Sequence, residues 1–183
     1  MKRPTLRTTR LTLRPFEQDD APAVTRLAGD REIALNTATI PHPYPEGEAE
    51  RWISRHQEGF DAGSEVTFAV FYGDELVGAV GLAINRDDDN AEIGYWIGVP
   101  YWGRGYASEA SEAVLHYGFE ELALNKIYAR FFTRNPASGR VMQKLGMELE
   151  GRFRRHHKKW GEYLDTEQYG LLREEWMRRR IEL

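Results

Sequence analysis

The chain has no cysteine among its 183 residues. That excludes disulfide bridges, thiolate metal sites and a cysteine acyl-enzyme, and it fits a reducing compartment. No apolar run approaches the roughly 20 residues that a membrane-spanning helix needs. The opening MKRPTLRTTRLTLRPF is basic but has no apolar signal-peptide core, so a cytoplasmic protein without a membrane partner is expected. There is no excess of positive charge either. With a formal net charge of −4, the chain is poorly suited to neutralising nucleic-acid phosphates, and no nucleic-acid partner is expected. Internal repeats, low-complexity segments and linkers are missing too.

What is present is ordinary for a globular protein, with 41% apolar and 30% charged residues. At this length one core can bury roughly two-thirds of the unfolded surface. Residues 1–183 are therefore read as a single domain. Alternation over Thr9 to Phe16 predicts a strand, and Asp19 and Asp20 stand as N-caps of a short helix stopped by Gly29. Residues 30–46 read as irregular, because prolines at 41, 43 and 45 suit neither a helix interior nor a central strand. A helix follows from Glu46 to Phe60, with Ala49, Trp52, Ile53 and His56 on one face.

Val66 to Tyr72, Glu75 to Asn85 and Ala91 to Val99 read as an antiparallel meander. The acidic run Asp87 to Asp89 lacks the ligand spacing of a calcium loop and reads as a solvated turn, so no metal is expected. A helix from about Ala107 to Gly118 precedes a strand from Ile127 to Thr133, which is expected to run parallel to the third meander strand. Asn135 and Pro136 open another helix, with Gly146 as its cap. Met147 to Phe153 and Tyr163 to Leu172 form a last hairpin with RRHHKKWGE at its tip, and REEWMRRR is a short terminal helix. The fold class is α/β (α+β): a mixed, mostly antiparallel sheet of about seven strands with helices on both faces.

Within this order, Gly103-Arg104-Gly105 lies between a strand and a helix. The first turn of a helix presents N–H groups without intrahelical partners and carries partial positive charge, so such a turn can hold a phosphate. The Gly-Lys-Ser/Thr ending of a Walker A loop is absent. A dinucleotide fingerprint would need an acidic residue closing the next strand, and that strand ends in Thr133-Arg134.

The element order resembles the GNAT acetyltransferase superfamily. So do Glu92-Ile93-Gly94-Tyr95-Trp96-Ile97, Tyr101 to Ala110, Asn135-Pro136-Ala137-Ser138 and Leu145-Gly146-Met147. Within it, the chain is similar to the branch named for the RimJ and RimL ribosomal-protein N-acetyltransferases. The resemblance covers nearly the whole chain and implies acetyl-CoA as cosubstrate and an amine as acceptor, a protein N-terminus or a small molecule. Homodimers are common in that family.

Residue by residue, the resemblance implies that Gly103, Arg104, Gly105, Tyr106, Ala107 and Ser108 form the pyrophosphate loop. Trp102 departs from the family's usual Gln or Arg at the start of that motif. The backbone of Ile97, Gly98 and Val99 would polarise the thioester carbonyl, and Asn135 would bind the pantetheine arm. Glu92 corresponds to a general base. A tyrosine acid used by many members is replaced by Met142, leaving Ser138 as the available hydroxyl near the leaving sulfur. His42 and Tyr44 are candidates for the acceptor pocket, together with Glu92. Two other readings are a coenzyme-A-binding protein without efficient catalysis, suggested by Met142, and an RNA-associated factor using the basic hairpin.

Overall fold

The computed structural model describes residues 2–181. In chain order the elements are β1 (Leu6–Arg7), β2 (Leu11–Arg14), α1 (Ala21–Ala28), α2 (Arg31–Asn36), α3 (Glu48–Asp61), β3 (Glu65–Tyr72), β4 (Glu75–Asn85) and β5 (Asn90–Ile97). They continue with α4 (Tyr106–His116), β6 (Lys126–Phe132), α5 (Pro136–Lys144), β7 (Glu148–Lys159), β8 (Glu162–Leu172) and α6 (Arg173–Ile181). Eight strands make one sheet in the order β1-β2-β3-β4-β5-β6-β8-β7. The strand beyond the expected seven or so is β1, two residues long. All neighbours are antiparallel except β5 and β6, which are parallel as expected.

Strand alternation sorts the sheet into two faces. Val66, Phe68 and Val70 of β3, Val80 and Leu82 of β4, and Ile93 and Ile97 of β5 pack with Ala110, Val114 and Leu115 of α4 and Met142 of α5. The opposite face presents Ala69, Ala79 and Trp96 to Phe16, Val24 of α1 and Ile53 of α3. Registers place Glu65 opposite Ala83, and Ala83 opposite Glu92, so these three side chains form one row on the α1/α3 face.

The parallel pair is short. Asn90, Ala91 and Glu92 face Lys126, Ile127 and Tyr128, and beyond them the strands part. From there β5 stays with β4 as far as Ile97 opposite Gly78, while β6 stays with β8 as far as Phe132 opposite Thr166. The sheet is thus open between its two central strands.

Four local expectations need correction. Residues 31–36 are helical, because the Asp30 carboxylate accepts from the Glu32 N–H at 2.9 Å and caps the turn. Asp20 does not cap α1 with its side chain; it binds Arg14 bidentately at 2.8 Å and accepts from the Glu17 N–H. The π-turn Tyr117–Glu121 prolongs α4 past Gly118. Finally, Arg152 to Lys159 belong to strand β7, and the hairpin turns at Trp160-Gly161, whose positive φ values of 49° and 86° make the tight corner.

His56 of α3 is 2% exposed, packed against Trp52 and Phe16, and neither ring nitrogen has a hydrogen-bond partner among the described residues. Burial, with help from the Arg3 and Arg55 charges, lowers its pKa from 6.5 to about 4. The unfolded chain therefore takes up a proton near pH 6.5 that the folded chain refuses until about pH 4. Stability from this group is complete above pH 6.5 and falls as pH drops toward 4, with a loss of ~2 kcal/mol between pH 7 and 5. Urea unfolding of the parent and of His56→Leu at both pH values checks this: the variant should lack that share of the acid sensitivity.

Candidate active site

At the open end of β5 the chain runs through a short turn, Val99–Tyr101, into Gly103-Arg104-Gly105 and α4. Gly103 and Gly105 have φ of 74° and 81°, a region that side-chain-bearing residues avoid. Among the described residues, none of the backbone N–H groups from Gly103 to Ser108 donates to a protein acceptor; the first that does is Glu109, to the Gly105 carbonyl. The loop is fastened from behind. Glu109 accepts from the Thr8 hydroxyl at 2.6 Å, the Arg10 N–H at 2.9 Å and Arg10 Nε at 2.7 Å, while Arg10 Nη1 donates to the Arg104 carbonyl at 3.0 Å. Burial pushes the Glu109 carboxyl up, but these donors outweigh it and hold it below the usual range. The acid is thus occupied by its own cations, and the loop amides keep their positive character for an anion.

Trp102 fastens the other side, its Nε1 donating to the Ile97 carbonyl at 2.5 Å. Arg104 is exposed and donates to the Pro100 carbonyl at 3.3 Å. Of the expected backbone donors at residues 97–99, the Gly98 N–H donates to the Val77 carbonyl of β4 at 2.9 Å and is committed to the sheet. A cleft of about 340 Å³ starts at this loop and is lined by Gly103, Gly105, Tyr106, Ala107, Ser108, Asn135 and Ser138, bringing the predicted loop and the start of α5 together. The Asn135 side chain caps α5, accepting from the Ser138 N–H at 3.3 Å.

A second cavity, of about 680 Å³, lies on the α1/α3 side of the sheet. Glu92, Trp96, Arg130 and Phe132 line it from the strands, Tyr44 and Trp52 from the helical side, and His156 and His157 from β7. Both Glu92 oxygens accept from Arg130, from Nε at 3.0 Å and Nη2 at 2.5 Å, and the carboxylate holds the guanidinium pKa above its ordinary value. The pairing fixes the carboxylate and still leaves acceptor capacity on each oxygen. Tyr44 also lines this cavity, with its phenol pushed up to about 12 by burial and then by Glu48 and Glu50. His42 is not among the lining residues; its Nδ1 is 3.3 Å from the Gly29 carbonyl and its ring stands beside Trp160.

Asn36, Thr37, Tyr95, Trp96 and Ser138 line both cavities. The two therefore meet where β5 parts from β6, with Glu92 on one side and Ser138 on the other. At the junction the Tyr95 hydroxyl and Ser138 Oγ are 2.6 Å apart. Burial pushes the Tyr95 phenol up to about 12 against the effect of that hydrogen bond, so it stays protonated. Sequence reading missed Tyr95 and Arg130. The visible signal was alternation, which puts Tyr95 on the opposite face from Glu92, toward the helix that carries Ser138.

The basic segment of β7 also has a place here. Lys159 is 8% exposed, and its Nζ donates to the Thr37 carbonyl at 2.5 Å and the Ile40 carbonyl at 3.1 Å. Arg134, next to Asn135, donates to the Leu35 carbonyl at 2.5 Å. Burial, then the Arg134 charge, lowers the Lys159 pKa. Two cations thus hold the end of α2 and the segment after it over the mouth of both cavities.

This architecture has known counterparts. The model of the acetyltransferase (GNAT) domain matches residues 10–148. The uncharacterized N-acetyltransferase p20 of Bacillus licheniformis is 32% identical over 175 residues, covering 94% of this chain and 98% of its own. A GNAT-family acetyltransferase from Bacillus anthracis superposes with a TM-score of 0.83 at 29% identity, covering 93% of this chain and 99% of that one. RimL, a ribosomal L7/L12 α-N-protein acetyltransferase solved in complex with coenzyme A, shares the fold with a TM-score of 0.85 at 20% identity, over 92% and 98% of the two chains. The chain belongs to the GNAT family of acetyltransferases. It is an N-acetyltransferase, and coenzyme A is the carrier with which such folds work.

If Lys159 and Arg134 hold this stretch over the cavities, Lys159→Met should raise amide hydrogen exchange of residues 37–40 at least tenfold, as expected when a local opening becomes easier by about 1.4 kcal/mol. Exchange in β3 and β4 should not change.

Proposed function

We propose that the protein transfers acetyl from acetyl-CoA directly to a primary amine, a protein N-terminal α-amine or a small-molecule amine, in a ternary complex without an acyl-enzyme. The observation that carries this reading is the meeting of the two cavities at Tyr95, Trp96 and Ser138. One cavity begins at a loop whose backbone N–H groups have no acceptor among the described residues and suit a pyrophosphate, and the other contains the glutamate. Acetyl-CoA supplies an activated acyl group and a thiolate leaving group. Its arm carries amides, and the unpaired edges of β5 and β6 offer hydrogen-bonding partners to such a chain.

The chain's residues divide the work. Glu92, oriented by Arg130, takes the proton that the attacking amine releases, directly or through water. An α-amino group, with pKa near 8, makes a smaller demand on this base than an alkylamine near 10.4. Ser138 is the donor assigned to the sulfur as the carbon–sulfur bond breaks, and the Tyr95 hydroxyl can replace the proton it gives. That pair answers the lack of an acid at Met142, which is 2% exposed and has no proton to donate, and it favours a catalyst over a coenzyme-A binder. Trp96 and Phe132 supply apolar walls that limit water.

Acetyl-CoA-dependent thiol release, measured with N-terminal peptides, aminoglycosides and polyamines, should show turnover with at least one amine. Glu92→Gln should lower kcat by about 10²-fold, the size of a lost general base, with the Kd for acetyl-CoA unchanged. Gly105→Val, with φ of 81° at the loop, should instead raise that Kd at least tenfold, about 1.4 kcal/mol. Tight acetyl-CoA binding without turnover of any amine would leave only the binder.

A further inference from the structure

Three carboxylates line the acceptor cavity, and they are not alike. Glu92 is paired with Arg130, and Glu48 with Arg51 at 2.9 Å. The side chain of Glu65, at the start of β3, makes no hydrogen bond or ion pair among the described residues. It is half-buried. Burial pushes its carboxyl up, opposed only in part by the charge of Arg55, as expected of an acid partly removed from water with no cation in contact. Arg55 of α3 lines the same cavity and its charge reaches Glu65, but the two form no ion pair among the described residues.

The position of Glu65 is built in. Its side chain lies against α3 at Gly59, where an added Cβ would come within 2.3 Å of Glu65 Cγ. The missing side chain at Gly59 makes room for the acid between helix and sheet. Thr67, the next residue on the same face of β3, also lines the cavity and likewise makes no side-chain hydrogen bond among the described residues. Through the row Glu65, Ala83, Glu92, the free acid stands two strands from the paired one on the same floor, on the order of 10 Å at two strand spacings.

We infer that Glu65 is an anionic subsite for a second cationic group of the acceptor, an ammonium or guanidinium carried roughly 10 Å from the amine that reacts beside Glu92. The inference rests on the acetyltransferase reading and names its acceptor class: primary amines that are at least dications. Two sources share this chemistry, an α,ω-diamine and a peptide N-terminus with a lysine or arginine close behind it. Glu65 lines the cavity without an ion pair among the described residues, so a second cation can contact it without breaking an existing bridge.

The test uses the whole protein and its Glu65→Gln variant. Binding of octane-1,8-diamine and of octylamine is measured by calorimetry, and kcat/KM is measured for both, and for the tripeptides Ala-Lys-Ala and Ala-Ala-Ala, with acetyl-CoA. The parent should bind and turn over the dicationic member of at least one pair about tenfold better than its monocationic partner, the worth of one charge-assisted contact. Glu65→Gln should remove that margin and leave the monocation and the acetyl-CoA Kd as they were. Whichever pair shows the margin identifies the source. No margin in either pair, or an equal loss for both members, overturns the subsite while leaving acetyl transfer standing. A diamine-binding margin that depends on Glu65, in a protein that acetylates no amine, would support the subsite and overturn the transfer reading. Gly59→Ala should reproduce the loss of margin by displacing the carboxylate; a full margin in that variant would also count against the subsite.

Discussion

Three residue pairs join β5 to β6, and after Glu92 the two strands share no pairing. Each keeps its outer neighbour instead, so the sheet remains strong while a gap opens at its centre. Every functional feature described depends on that parting. It exposes strand edges in the interior, which is costly unless a ligand or water completes them. It also joins the two faces of the sheet, so Glu92 on one face and Ser138 on the helix packed against the other serve one opening. A sheet zipped to the end would separate them.

The rims of the gap are set by charge pairs and charge-to-carbonyl contacts more than by apolar packing. Arg10 and Glu109 fix the glycine loop, Arg130 fixes Glu92, and Arg134 with Lys159 holds the end of α2 and the segment after it. These contacts suit walls that must hold polar ligands, because an ion with its partners in place keeps a defined direction where an apolar contact would not. Glu65 stands out against that background as a carboxylate that forms no ion pair among the described residues.

Much of this was legible in the sequence. The meander, the parallel strand β6 and the helix after Gly105 follow from alternation, glycine placement and capping, all of which act locally. Glu92, the glycine loop, Asn135, Ser138 and Tyr44 were named from motifs and do line the two cavities. What was not legible depends on contacts between distant segments. Arg130 acquires its meaning only when β6 lies beside β5, and Tyr95 only when α5 covers its face. The basic run read as a solvated tip because charge usually marks solvent. Lys159 is buried all the same, since two carbonyls of residues 37–40 accept from it. Helix α2 was hidden by the prolines that follow it, and His42, in that proline segment, turns to Gly29 rather than to the cavity.

The central claim is that donor and acceptor occupy the two cavities together and meet at the parting of β5 and β6. An initial-rate matrix in which acetyl-CoA and a turned-over amine are both varied tests it most directly. Double-reciprocal lines that intersect, with no acetylated protein recoverable after incubation with acetyl-CoA alone, are the predicted result. Parallel lines accompanied by a covalently acetylated chain would contradict the account.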